Sequence, residues 1–262
     1  MDTTTLTISG LDREYTFIHI TDAHIAVAPD TATDEEKAMA EARTKFWTPG
    51  SGILPIESFK AHLENAEELK ADGIFLTGDG IDYQSDYNIE IMNKLCGESK
   101  VKVTYVYGNH EGGIDNKEFY PKYRNLMGDT PGFQVADYGS FLVIAVDDSN
   151  KVISQAQLDA FRMQMKRGIP IILLLHIPLK TDAIEPSVME RWGTDFMIGT
   201  EDDPETTHTF CKMVKSEDSP VVAIFAGHVH YEHEGEFASG KMQYTAAPAF
   251  TGYKRIIKIK PK

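Results

Sequence analysis

Residue types that bind metal ions recur at separate points along the chain, each directly after a short apolar run. Imidazole nitrogens combined with carboxylate and amide oxygens suit manganese, iron, zinc, cobalt or nickel, and without thiolates they disfavour a structural zinc site. Polar groups behind apolar runs are costly to bury without partners, so their repetition indicates one shared site. The groups are Asp22 with His24, Asp79, Asn109 with His110, His176, and His228 with His230.

The number of these residues favours two metal ions over one. They outnumber the ligands that a single first-row ion needs, and Asp79 stands centrally in their order along the chain. A carboxylate shared by two ions ~3.5–4 Å apart belongs to sites that hold both the attacking and the leaving oxygen of a displacement at phosphorus. Taken alone, Gly78-Asp79-Gly80 is ordinary turn chemistry, so its interpretation depends on the other groups.

Predicted strands must deliver these residues, because sites in open α/β sheets form at the carboxyl ends of strands. The alternation of strands and helices predicts an α/β layered fold with partly antiparallel sheets, in a single domain over residues 1–262. Loop excursions at about 25–54 and 177–204 interrupt it. Apolar patterning predicts strands at 4–9, 15–21, 73–82 with its turn, 101–107, 133–149 as a pair, 169–175 and 221–226, and helices at 33–45, 58–70, 86–96, 117–127, 154–167 and 206–215.

Several local features give further expectations. The strands at 4–9 and 15–21 should form a hairpin, and the basic segment 253–262 should be an edge strand with solvent-facing lysines. We expect His19 to be a hydrogen-bonded core residue and His62 to be solvated. Glu111 is expected to support its turn or to cap the next helix rather than to take part in chemistry. Asp147 and Asp148 also end a strand and are expected to be structural, with a peripheral role at the site as the alternative.

Composition bounds the class of protein. The 262 residues are 42% hydrophobic and 25% charged, as in a soluble globular protein. A formal net charge of −14 argues against binding to polymeric nucleic acid or an anionic membrane. No apolar run reaches the ~18 residues needed to span a bilayer, and no secretory signal is visible. With only Cys96 and Cys211 and no zinc-type spacing, the expected compartment is the reducing cytoplasm.

The motifs together resemble the signature of the calcineurin-like metallophosphoesterase family. In order, they are Asp22-x-His24, Gly78-Asp79-x-x-Asp82, Gly108-Asn109-His110-Glu111, His176 and Gly227-His228-x-His230. The resemblance extends from residue 17 to residue 230, and no metal-binding position departs from the pattern. It implies a four-layer α/β/β/α sandwich of two mixed β-sheets flanked by helices.

The resemblance also implies a division of labour within the site. A hydroxide bridging two divalent or trivalent ions would attack phosphorus. His110 would protonate the leaving oxygen or stabilise its charge, and Asp82 would fix the tautomer of His110. One ion would be bound by Asp22, His24, Asp79 and His230, and the other by Asp79, Asn109, His176 and His228.

The expected function is therefore hydrolysis of a small phosphomonoester or phosphodiester, cyclic nucleotides included. A serine/threonine protein phosphatase is an alternative with the same metal chemistry. A non-catalytic scaffold of the same fold is a third hypothesis, although such relatives usually lose ligands that are all present here. The two loop excursions should select the phosphorylated small molecule, and Trp47 and Trp192 within them are candidate substrate contacts or anchors of their loops. Tyr231 is a further candidate substrate contact or an ordinary aromatic residue at a strand end.

Overall fold

The computed structural model describes residues 2–113, 116–123 and 131–262. Within them lie eleven strands and six α-helices. The strands are β1 (Asp2–Ile8), β2 (Tyr15–Ile20), β3 (Gly73–Thr77), β4 (Val103–Val106), β5 (Phe133–Asp137), β6 (Leu142–Val146), β7 (Ile171–Leu174), β8 (Val221–Ala226), β9 (His233–Ala238), β10 (Lys241–Thr245) and β11 (Arg255–Pro261). The helices are α1 (Asp34–Trp47), α2 (Pro55–Glu68), α3 (Asp86–Glu98), α4 (Gln155–Met165), α5 (Glu185–Trp192) and α6 (Glu205–Lys215).

The strands form two sheets, each with parallel and antiparallel neighbours. The first sheet has the order β1-β11-β2-β3-β4, and the second has the order β5-β6-β7-β8-β10-β9. Strands β2, β3 and β4 are parallel to one another, as are β6, β7 and β8. Their carboxyl ends therefore lie along one edge of each sheet, which is where a site is expected.

Three apolar clusters separate four layers. Ile74 and Leu76 of β3 pack with Phe59 of α2 and Met92 of α3 on the outer face of the first sheet. The inner faces of the two sheets meet through side chains that include Phe17, Phe75, Val143, Leu174 and Phe225. Phe161 of α4 and Phe210 of α6 cover the second sheet. The predicted four-layer α/β/β/α sandwich is confirmed.

Helix starts follow local capping chemistry. Thr33 accepts from the amide of Glu36, whose side chain returns to the Thr33 amide, and this capping box begins α1. Ser154 and Gln157 make the same reciprocal pair at α4. These contacts bind main-chain donors that the first turn of a helix leaves unpaired.

Two topological predictions are wrong. β1 and β2 do not form a hairpin, because β11 lies between them, parallel to β1 and antiparallel to β2. For the same reason the C-terminal segment is an inner strand and not an edge. The buried guanidinium of Arg255 donates to Thr4 Oγ1 at 2.8 Å, and Lys258 Nζ donates to Thr16 Oγ1 at 2.8 Å.

Two other predictions need correction. His62 is buried and not solvated, since its Nε2 lies 3.1 Å from the carbonyl oxygen of Ala249. In the described part of the helix predicted at 117–127, a 3₁₀ turn at Tyr120–Lys122 takes the place of an α-helix, and residues 124–127 lie outside the described residues. No helix in the described ranges combines the length and apolarity needed to cross a membrane.

Candidate metal centre

The ends of five strands converge where the two sheets face each other. β2, β3 and β4 belong to the first sheet and β7 and β8 to the second. Potential ligand atoms from these ends lie within 4.8 Å of one another in three overlapping groups. The groups are Asp22, His24 and His230; His24, Asp79 and His110; and Asp79, His176 and His228.

The backbone at these strand ends adopts a conformation that side chains normally avoid. Seven non-glycine residues in the described ranges have positive φ, and five of them are candidate ligands. Such residues persist only where surrounding structure enforces them, and they concentrate at functional sites. Here the loops enforce one another, because the Asp22 and His24 amides donate to the carbonyls of Gly78 and Asp79 at 3.0 and 2.9 Å. The five are Asp22, His24, Asp79, His228 and His230.

One group of ligand atoms surrounds Asp22. His230 Nε2 lies 3.2 Å from Asp22 Oδ1 and 3.2 Å from His24 Nε2. His24 Nε2 is 3.9 Å from Asp22 Oδ1 and 3.8 Å from Asp79 Oδ2. These separations are short enough for all four side chains to contact one ion.

A second group lies on the other side of Asp79. His176 Nε2 is 3.4 Å from Asp79 Oδ2, 3.1 Å from Asn109 Oδ1 and 3.2 Å from His228 Nδ1. Asp79 Oδ2 therefore lies within 4 Å of a histidine nitrogen from each group. A carboxylate in this position can be shared between two ions.

The carboxylates of the cluster shift the pKa values of the histidines around them. Burial acts to raise the pKa of Asp79, but the neighbouring histidines, His176 foremost, together outweigh it and the pKa is lowered, so the carboxylate is ionised. Burial lowers the pKa of His228 to about 3, which leaves a neutral imidazole able to bind a metal. Burial also acts to lower the pKa of His176, yet Asp79 raises it to about 10. The carboxylates thus attract positive charge into a buried position.

The residues fit a pair of divalent cations. Asp22 Oδ1 is buried and makes no hydrogen bond within the described ranges, so one oxygen is left for an ion. The donor set is nitrogen and oxygen without sulfur, which suits manganese, iron, zinc, cobalt or nickel. Gly108 leaves the room that Asp79 occupies, since a Cβ there would overlap Asp79 Oδ1 and lie 2.8 Å from Asp79 Cγ.

Buried hydrogen bonds on the side away from the cluster fix the orientation of the candidate ligands. The Thr77 carbonyl accepts from His176 Nδ1 at 2.8 Å, which directs Nε2 into the cluster. The Asp148 carboxylate accepts from the amides of His176 and Ile177 at 2.8 and 3.0 Å, so it stabilises the strand end rather than pointing to the site's rim. The predicted hydrogen bond of His19 is confirmed by its contact with Thr77 Oγ1 at 2.8 Å.

His110 and Asp82 meet through the main chain. His110 Nδ1 donates to the carbonyl oxygen of Asp82, whereas the nearest carboxylate oxygen lies 3.7 Å away. The Asp82 carboxylate is instead bound by Arg43 and Trp47. His110 Nε2 lies 3.9 Å from Asp79 Oδ2, at the mouth of the cluster. The orientation of His110 is thus set by a carbonyl and not by a carboxylate.

The three candidate substrate contacts differ in position. Trp47 is stacked on His24, with ring centroids 4.0 Å apart. Trp192 is 38% exposed, donates to the Val229 carbonyl at 3.1 Å and has its ring centroid 6.1 Å from that of His230. The Tyr231 hydroxyl is bonded to Ser187 Oγ at 2.9 Å. All three are therefore anchored, and Trp192 is also open to solvent beside the site.

Sequence reasoning missed three residues beside the cluster. Arg43 binds the carboxylate of Asp82. The ring centroid of Phe196 lies 4.7 Å from that of His228, and the ring centroid of Phe250 lies 6.0 Å from that of His230. A signal existed only for Arg43, which precedes Trp47 by four residues and so shares its helix face. The two phenylalanines come from loops without a recognisable pattern.

Comparison with known proteins places this geometry in a family. Residues 15–232 match the sequence profile of the calcineurin-like phosphoesterases. The chain belongs to the calcineurin-like phosphoesterase family. Members of this family depend on two metal ions, in keeping with the clusters described above. A search among curated proteins found no match.

Solved structures show the same fold at low sequence identity. A dimetal phosphatase from Danio rerio aligns over 91% of this chain and 89% of its own, with 13% identity and a TM-score of 0.58. A purple acid phosphatase from yellow lupin (Lupinus luteus) seeds aligns over 90% of this chain, with 16% identity and a TM-score of 0.54. The alignment covers 44% of the lupin chain. At these identities the likeness shows the fold of this calcineurin-like chain and no more.

Proposed function

We propose that this calcineurin-like protein hydrolyses the phosphoric ester of a small molecule at a centre of two metal ions. The single observation that carries the proposal is the position of Asp79, whose Oδ2 lies 3.8 Å from His24 Nε2 and 3.4 Å from His176 Nε2. A carboxylate between two complete ligand groups suits a two-ion centre. One ion would be held by Asp22, His24, Asp79 and His230, and the other by Asp79, Asn109, His176 and His228.

Bound ions would neutralise the charge of the phosphate group and activate a water molecule for in-line attack. The protein's own part is to hold the ligands at fixed separation. Their strand ends are locked to one another by main-chain hydrogen bonds and by Glu111, so little reorganisation is needed when substrate binds. Manganese, iron, zinc, cobalt and nickel all suit this donor set.

His110 is proposed as the proton donor to the leaving oxygen. Burial acts to lower the pKa of His110, but Asp79, the Asp82 carbonyl and Glu111 together outweigh it and the pKa is raised, which favours the imidazolium. Because Nδ1 donates to the Asp82 carbonyl, the remaining proton on Nε2 faces the cluster. A side chain in this position can donate a proton as the ester bond breaks.

The substrate is proposed to be a phosphorylated small molecule, a monoester or a diester. Trp192 from the second excursion borders the His230 side of the centre, and Tyr231 directly follows His230 in the chain. Both are proposed to contact the group that carries the phosphate. We further propose that the chain is a single domain. Cys96 and Cys211 are buried and unpaired, which supports the expected reducing compartment.

A hydrolysis screen on manganese-loaded protein tests the proposal. The substrates are p-nitrophenyl phosphate, bis-p-nitrophenyl phosphate, cyclic nucleotides and a phosphopeptide. We expect turnover of at least one small ester, and we expect Asp79→Asn to abolish it with loss of both ions. Turnover of the phosphopeptide alone would favour the protein phosphatase. No turnover by protein with two ions bound would refute the enzyme and leave the scaffold hypothesis.

A further inference from the structure

Two side chains near the end of α1 bind the carboxylate of Asp82. Arg43 Nε donates to Asp82 Oδ2 at 2.5 Å, and Arg43 Nη2 donates to Asp82 Oδ1 at 2.8 Å. Trp47 Nε1 donates to the same Oδ1 at 2.5 Å. Since Arg43 and Trp47 are four residues apart, they project from one face of the helix. A two-point contact from a guanidinium fixes the orientation of a carboxylate and does not merely balance its charge.

The carboxylate of Asp82 that Arg43 and Trp47 bind faces the imidazole of His24. Asp82 Oδ1 lies 3.3 Å from His24 Nδ1. That nitrogen is buried and makes no hydrogen bond among the described residues, and the Asp82 carboxylate is the charged group that faces it. A carboxylate beside one ring nitrogen of a histidine favours a proton there and leaves the other nitrogen for a metal ion. In His24 the other nitrogen, Nε2, faces the cluster.

The same turn also restrains the His24 ring from its face. The indole of Trp47 is stacked on the imidazole, with centroids 4.0 Å apart and planes inclined by 17°. Rotation of the imidazole about its Cβ–Cγ bond would break this stacking. α1 therefore holds His24 in two ways, through Asp82 at its edge and through Trp47 on its face.

The second ligand group is held by a different part of the chain. His176 Nδ1 is bonded to the Thr77 carbonyl at the end of β3, and Asp148 binds the His176 amide. These contacts belong to the sheets and not to α1. Loss of the α1 contacts should consequently weaken one ion position and spare the other.

From this geometry we infer that Arg43 and Trp47 are positioning residues for His24, and that α1 sets the metal affinity of the position bounded by Asp22, His24, Asp79 and His230. The inference rests on the two-ion centre proposed above. It assigns part of the first loop excursion to the metal centre itself, in addition to any role in substrate choice.

Titration of the metal-stripped full-length protein with Mn²⁺, followed by calorimetry, tests the inference. Wild-type protein should bind two ions. In Arg43→Gln one of the two affinities should fall about 10- to 100-fold while the other stays within twofold. Lys45→Gln is the matched control, because it removes the same charge from an exposed position on the same turn, and it should bind both ions as wild type does.

A double variant separates positioning from a general effect on folding. Because Arg43 is inferred to act through Asp82, Arg43→Gln should change Mn²⁺ affinity less than twofold in an Asp82→Asn background. Trp47→Phe should weaken the same ion less than Trp47→Ala, since phenylalanine keeps the stacking and loses only the N–H donor. If Arg43→Gln does not fold, Arg43→Lys replaces it, since lysine keeps the charge and loses the two-point contact.

The outcomes distinguish this inference from the proposed function. Failure of wild-type protein to bind Mn²⁺ would refute the metal centre and the inference together. Two ions bound by wild type, with Arg43→Gln (or Arg43→Lys in its place) inside twofold at both positions, would overturn the inference alone. An Arg43 effect that persists undiminished in the Asp82→Asn background would also overturn it.

Discussion

Glu111 Oε2 accepts a hydrogen bond from the main-chain amide of Asp79 at 2.9 Å. The same oxygen accepts from the Gly108 amide at 2.7 Å, and Oε1 accepts from the Ile81 amide at 3.1 Å and the Tyr105 hydroxyl at 2.6 Å. One buried side chain thus ties the loop after β3 to the loop after β4. The expectation that Glu111 supports its own turn is confirmed by its bond to Gly108, and the same side chain also supports the loop that carries Asp79.

Glu111→Ala should destabilise the protein strongly. Three buried amides would lose their acceptor, and an unpaired buried donor costs about 1–3 kcal/mol. We expect the free energy of unfolding to fall by at least about 3 kcal/mol, measured by urea denaturation in a chelator. Glu98→Ala, at an exposed position at the end of α3, should stay within about 0.5 kcal/mol of wild type. A loss below about 1 kcal/mol in Glu111→Ala would show that other acceptors replace it.

His110→Ala should separate proton donation from metal binding. We expect both ions to be retained, because His110 is assigned to neither ligand group, and kcat to fall about 10²–10⁴-fold. The loss should be smaller for p-nitrophenyl phosphate, whose leaving group needs less protonation, than for an alkyl phosphate. Steady-state kinetics with both esters check this. Equal losses for the two leaving groups would indicate stabilisation of charge in place of proton donation.

Gly108→Ala should disturb the shared carboxylate through steric contact alone. A Cβ at this position would overlap the Asp79 amide nitrogen and Oδ1 and would lie 2.8 Å from Asp79 Cγ, so Asp79 must move. We expect Mn²⁺ affinity at both positions to fall at least about tenfold, since Asp79 is proposed to serve both ions. Calorimetric titration measures it.

Gly97→Ala is the matched control for this substitution. Gly97 lies in α3, and a Cβ added to it would have no atom within 4 Å, so alanine there should raise stability by about 0.5–1 kcal/mol without changing metal affinity. Unchanged affinity in Gly108→Ala would contradict the tight packing of Asp79 against the β4 loop.

His62 should make stability fall as the pH is lowered. Burial lowers the pKa of His62 to about 4 from its usual 6.5, so the unfolded chain binds a proton more readily than the folded protein. This contribution is fully present above pH 6.5 and is lost as the pH falls towards 4, to a total of about 3 kcal/mol. Urea denaturation of wild type and His62→Gln at pH 7 and pH 5 should show about 2 kcal/mol more loss in wild type. Parallel pH dependence in the two proteins would refute the assignment.

The layers of the fold and the convergence of the polar strand ends could be anticipated, because both arise from local patterns. Apolar runs such as β7 and β8 are too short and too uniformly apolar for surface helices, and each is followed two residues later by a histidine, His176 or His228. Parallel neighbours then place those ends on one edge of the sheet. Strand and helix patterns in the sequence are therefore sufficient to predict where the site lies.

Contacts between distant segments could not be anticipated in the same way. His62 is buried by Ala249, which lies 187 residues further along the chain, and nothing near His62 marks the partner. The motifs place the Asp82 carboxylate beside His110, but the donors that capture it come from α1, with Arg43 39 residues earlier. Strand order fails for the same reason, since the alternation in 253–262 predicts a strand but not the two neighbours that enclose it.

The position of β11 has a consequence for biosynthesis. The strand that fills the gap between β1 and β2 is formed by residues 255–261, so on the ribosome β1 must wait for its hydrogen-bonding partner until nearly the whole of this chain has been translated. Strands β2, β3 and β4, which pair directly with one another, can associate earlier. Completion of the first sheet is thus a late, long-range event, and such pairing slows folding. A nascent chain halted before residue 255 would leave β1 without its partner.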